Sequence, residues 1–120
     1  FRTARTALQK ALMKDPDNII AKNGIDYINL CEIKSNEFFD IAQRQYQENN
    51  YASAIEYCNR AIDFYHNSPQ IAKLKAMSYE KELNYRGAVK YYQQYLAMNP
   101  DASDRQQIEA KISQFMPKSN

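Results

Sequence analysis

The chain repeats itself at a distance of 34 residues: Asn50-Tyr51-Ala52-Ser53-Ala54-Ile55 is echoed by Asn84-Tyr85-Arg86-Gly87-Ala88-Val89. A fixed period of this size marks an array whose units bury their apolar faces against one another. The same shift carries Tyr51, Ala54, Ile55, Cys58, Ala61 and Ile62 onto Tyr85, Ala88, Val89, Tyr92, Tyr95 and Leu96. Both sets keep the i, i+3, i+4, i+7 spacing of one buried helix face, and the small Ala54 and Ala88 let a neighbouring helix approach closely. A single valine, Val89, and two threonines, Thr3 and Thr6, are too few sheet formers for strands, so the fold class expected is all-α.

Punctuation places the helices. Asp15-Pro16, Ser68-Pro69 and Asn99-Pro100 each set a capping side chain before a proline, whose missing N–H costs nothing in a first turn, so each predicts a helix start. Pro117 follows the last periodic segment, where it cannot continue a helix. Seven helices are predicted, near 1–14, 17–33, 35–48, 51–65, 69–81, 85–98 and 101–115. The short connections make consecutive helices antiparallel hairpins, stacked as a solenoid.

A displaced copy of the buried pattern occurs at Ala4, Leu8, Ala11 and Leu12, 50 residues before the next one. The excess over the repeat period is one helix's worth of chain, 17–33, inserted after the first unit. Its stripe, Ile20, Gly24, Ile28 and Cys31, runs on through Phe38 to Gln45, which would suit one helix over 17–48, while Ser35-Asn36 as a new cap favours a break. The break is the expectation adopted. One domain of 120 residues then holds 1–14 as the second helix of an incomplete repeat, 17–33 as an extra helix, 35–66 and 69–100 as repeats, and 101–115 as a cap. That cap shows Ile108, Ile112 and Phe115 on one face and Asp104, Arg105, Gln106, Glu109 and Lys111 around the rest, as a terminating helix must.

Residues 35–100, with the paired Asn-Tyr-x-x-Ala motifs, resemble the tetratricopeptide repeat. The resemblance implies a right-handed α-solenoid of antiparallel helix pairs and a non-catalytic module that binds a peptide or partner protein on its concave face. The first helices of the pairs line that face, which carries over here to Asn36, Phe39, Gln43, Tyr46 and Gln47, then Gln70, Lys73, Met77 and Glu80, with Gln107 and Lys111 from the cap. A groove of amide, aromatic and thioether groups suits an extended or helical peptide. Members that hold a chaperone's C-terminal carboxylates use lysine and asparagine where this chain has Phe39, Gln43 and Leu74, so that subfamily is disfavoured. The sequence also departs from the pattern at Gln45, Lys75 and Tyr95, and the bulk of Tyr95 is expected to push the cap outward.

Catalysis has no foothold. His66 is the sole histidine, at a helix end, and no His/Cys cluster has metal-ligand spacing. Two glycines, Gly24 and Gly87, cannot build a phosphate loop. No enzyme activity, cofactor or metal is expected. Cys31 and Cys58 lie on apolar faces and read as free, buried thiols. Among the ten tyrosines, Tyr51, Tyr79, Tyr85, Tyr92 and Tyr95 take core positions, whereas Tyr46 and Tyr91 are candidates for partner contact.

The formal charge of +2 gives no pull toward nucleic acid, and no apolar run reaches the length of a membrane span. The compartment is left open. The chain opens at Phe1 without a methionine, and residues 1–14 lack a first-helix partner, so further helical repeats are expected before them. The apolar side chains this leaves uncovered give a second functional expectation, a structural unit that self-associates through its solenoid ends, here through residues 1–33. Arg2, Arg5, Lys10 and Lys14 would make an acidic partner helix welcome there.

Overall fold

The computed structural model describes residues 2–119; Phe1, Asn120 and the side chains of Arg2 and Ser119 lie outside what it describes. Its elements are α1 (Arg2–Lys14), α2 (Ile19–Gln47), α3 (Tyr51–Phe64), α4 (Pro69–Lys81), α5 (Tyr85–Met98) and α6 (Arg105–Phe115), closed by a 3-10 turn at Met116–Ser119 that contains Pro117. No strand occurs among the described residues, and neighbouring helices pack in sequence order as an all-α solenoid.

One of the three proline signals marks a helix start. Ser68 Oγ accepts from the Ile71 N–H at 3.2 Å and Pro69 is the first residue of α4. Asp15-Pro16 and Asn99-Pro100 instead lie in turns, and the helices beyond them begin later, at Ile19 and Arg105. Asn18 takes over the cap of α2, its side chain accepting from Ala21 N–H at 3.0 Å. Before α6 the backbone turns twice, through Ala102 N–H to Asn99 O and Arg105 N–H to Ala102 O, each 3.1 Å.

The expected break at Ser35-Asn36 is absent: 17–33 and 35–48 are one helix, and α2 runs unbroken for 29 residues. Ser35 is buried, and its hydroxyl donates to the Ala61 carbonyl of α3 at 2.7 Å. A side chain engaged between helices is not free to cap a new one. At 1.5 Å per residue α2 is about 43 Å long. Its C-terminal half pairs with α3, while its N-terminal half projects beyond that pair and is braced by α1. Arg5 ties the brace down, with Nη2 2.6 Å from Glu32 Oε2 and the guanidinium 5.6 Å from the centre of the Tyr65 ring. Gly24 lets α1 come close, since a Cβ there would stand 2.8 Å from a Leu8 methyl. The overhang explains the extents of 57 × 29 × 24 Å and a radius of gyration of 17.7 Å, against about 14 Å for a compact chain of this length.

Two apolar clusters hold the stack. Ala42, Cys58, Ala61, Ile71 and Leu74 join α2, α3 and α4; Ala72, Ala76, Ala88, Val89, Tyr92, Tyr95, Ile108 and Phe115 join α4, α5 and α6. Thus α6 covers the last repeat with Ile108 and Phe115. Cys31 and Cys58 are buried free thiols. Ala54 and Ala88 are fully buried at equivalent places in the two repeats. Ala54→Leu or Ala88→Leu should therefore cost about 1–3 kcal/mol by overpacking a crossing that only a methyl fills. Chemical denaturation reads this directly, and melting curves equal to the parent's for both variants would contradict the packing described.

Candidate functional site

The first helices of the two repeats, α2 and α4, scarcely touch, because α3 lies between them on one side. A groove of about 330 Å³ remains on the other, lined by Phe39, Gln43, Tyr46 and Gln47 from α2 and Gln70, Lys73, Leu74 and Met77 from α4. Helical spacing produces this lining. Phe39, Gln43, Tyr46 and Gln47 share one face at i, i+4, i+7 and i+8, and Gln70, Lys73, Leu74 and Met77 share another at i, i+3, i+4 and i+7. Seven of the residues picked from sequence thus stand together, and Leu74, noted there only as an unsuitable anion ligand, joins them. Asn36, Glu80, Gln107 and Lys111 stand outside this lining.

Phe39, Tyr46, Leu74 and Met77 give the groove its apolar surface. Tyr46 is braced edge-on by Tyr51, ring centres 5.4 Å apart, and partial burial raises its hydroxyl pKa above the ordinary value. Gln43, Gln47 and Gln70 are exposed and add donors and acceptors without charge. The one charged lining residue is already engaged: Lys73 Nζ lies 2.6 Å from Asp104 Oδ2, and Tyr95 donates its hydroxyl to Asp104 Oδ1 at 2.7 Å. These two donors hold the Asp104 carboxyl below its usual pKa. Tyr95, expected to displace the cap, is 7% exposed and instead anchors the turn leading into it.

A second tie lies further along α4. Lys111 Nζ is 3.0 Å from Glu80 Oε1, the oxygen that also accepts from the Tyr92 hydroxyl at 2.7 Å. Hence Glu80 and Lys111 join α4 to α6, and together with Lys73–Asp104 they strap the cap across the groove side of the last repeat. In sequence Asp104 reads only as one more polar residue of the amphipathic cap, because its partner is 31 residues away.

The other candidates lie elsewhere. Tyr91 is away from the groove, stacked on Tyr79 with ring centres 5.5 Å apart, and Lys75 Nζ sits 4.0 Å from its centroid. Lys75, on α4, is 6% exposed, so its ammonium is covered by this α5 ring rather than reaching water. His66 follows α3 with its ring edge-on to Tyr65 at 4.1 Å. Among the described residues no three His, Cys, Asp or Glu side chains converge as a metal would need, and no helix is long and apolar enough to cross a membrane.

A family model described as tetratricopeptide repeat matches residues 41–113. The matched span takes in the end of α2, both repeat motifs and most of α6. No curated protein matches the chain. Tetratricopeptide repeats generally mediate protein–protein interaction and are typically non-catalytic. With the 34-residue period, the sequential helix pairs and the family match in agreement, the chain belongs to the tetratricopeptide repeat family.

Proposed function

We propose that this chain is a non-catalytic interaction module that holds a peptide or a helix of a partner protein in the groove between α2 and α4. One observation carries this reading: an open channel of about 330 Å³ with Phe39, Tyr46, Leu74 and Met77 as apolar anchors and three glutamines at hand for hydrogen bonds. Apolar anchors beside polar groups of this kind seat alternate side chains of an extended segment or one face of a helix. With Lys73 held by Asp104, the channel offers little free charge, which favours an uncharged apolar segment over an acidic tail.

A peptide array followed by calorimetry tests the reading. Phe39→Ala, Tyr46→Ala and Met77→Ala should each weaken the best binder by about tenfold or more while circular dichroism stays unchanged, as expected of central anchors. A binder indifferent to all three substitutions would place the interaction elsewhere.

A further inference from the structure

The N-terminal half of α2 carries large apolar side chains that stay exposed among the described residues: Ile20 is 83% exposed, Tyr27 62%, Leu30 54% and Ile33 54%. Of the α1 side chains expected to be uncovered, Ala4 is exposed while Leu8, Ala11 and Leu12 are partly buried, Leu8 against Gly24, and α2 adds the larger set above. At 100° per residue, Tyr27, Leu30 and Ile33 fall in one sector centred on Leu30, and Asp26 and Lys34 fall inside it. The buried Ala21, Ile28, Cys31, Ser35 and Ala42, which mark the sides packed on α1 and α3, all fall outside this sector. Because the segment overhangs the stack, a long partner can lie along it.

We propose that this face recognises itself: a second copy of the chain packs its α2 antiparallel on the first, with the two-fold axis at Leu30. The choice of occupant rests on the order of residues along the face. Four positions before Leu30 is the acid Asp26 and four after it the base Lys34; three before is Tyr27 and three after is Ile33; eleven before is Ile19 and eleven after is Ile41. Reversing the helix therefore sets Asp26 at the level of Lys34, Tyr27 at that of Ile33 and Ile19 at that of Ile41, at both ends of the contact, with the polar Asn23 at the level of Glu37 between them. Ile20, at the level of Asp40, lies outside the sector. A parallel pairing in register would put Asp26 on Asp26 and Lys34 on Lys34. Self-complementarity under reversal is the requirement of a closed two-fold interface, and an unrelated partner would impose no such symmetry. Lys34 is available for exchange, its contact to Glu37 being a long one of 3.6 Å between exposed side chains.

Analytical ultracentrifugation of the 120-residue chain, from micromolar to millimolar concentration, tests this pairing. A concentration-dependent dimer is expected, weakened about tenfold or more by Leu30→Glu. Asp26→Lys and Lys34→Asp should each weaken it by about three- to tenfold through like-charge contacts made twice. The double variant Asp26→Lys/Lys34→Asp should recover parental affinity, because the antiparallel copy restores both pairs. Four results would each overturn the proposal: a parent that stays monomeric throughout, assemblies beyond a dimer, indifference to Leu30→Glu, or a double variant no tighter than the single ones. All the positions are exposed, so retained helicity separates lost pairing from lost folding.

Discussion

Truncating Tyr92 to alanine is expected to cost about 3–5 kcal/mol, the largest loss any single side chain of the last repeat should cause. Tyr92 is the largest fully buried side chain among the described residues, at 0% exposure in the midst of the α4–α5–α6 cluster. Its hydroxyl donates to Glu80 at 2.7 Å, and Glu80 in turn holds Lys111 of the cap. Two separable contributions follow. Tyr92→Phe keeps the ring and removes a hydrogen bond to a carboxylate, which should cost about 1.5–3 kcal/mol. Tyr92→Ala adds a cavity that the neighbouring alanines cannot fill, and in a domain with about 5–15 kcal/mol of total stability it should leave the cap loosely attached. Urea denaturation followed by circular dichroism measures both, and a Tyr92→Ala protein as stable as the parent would mean that α6 does not rest on this ring.

The repeat register, the helix pairs and most of the groove were legible because each depends on periodic spacing along one helix. Phe39, Gln43 and Tyr46, or Gln70, Lys73 and Met77, share a face whatever the rest of the chain does, and the family pattern then says that the two faces meet. Features that depend on two distant segments were not legible. Ser35 has the chemistry of a helix cap and also of a bond between helices; only the position of the Ala61 carbonyl, 26 residues on, decides for the second. Asp15-Pro16 and Asn99-Pro100 could have started helices had later residues not extended the turns. The Lys73–Asp104–Tyr95 clasp and the seating of Lys75 on Tyr91 join charges and rings whose spacing along the chain carries no period. The exposed stripe of α2 was hidden for a related reason: in sequence an apolar helix face reads as buried, and here the overhang leaves it open.

Cys58 should make the fold progressively less stable in alkali. Full burial pushes its thiol pKa up from 9.0 to about 12, with nearby Lys75 only partly opposing the shift. The raised value means that the folded state keeps the thiol proton over a range in which the unfolded chain has released it. Above pH 9 the unfolded state thus binds fewer protons, and stability falls by about 1.4 kcal/mol per pH unit from this group, up to about 4 kcal/mol by pH 12. Below the unfolded value the contribution is fully present and flat. Native Cys58 should accordingly react with an alkylating reagent only as fast as the core opens, far more slowly than in urea. Stability measured at neutral pH and again above pH 9, for the parent and for Cys58→Ala, isolates the effect. The alanine variant starts lower because it leaves a small cavity, yet its stability should decline less steeply with pH. Tyrosines with raised pKa values contribute to both proteins alike and cancel in the comparison. Parallel pH profiles for the two proteins, or native labelling of Cys58 at the unfolded rate, would show that this thiol is not enclosed between α2, α3 and α4.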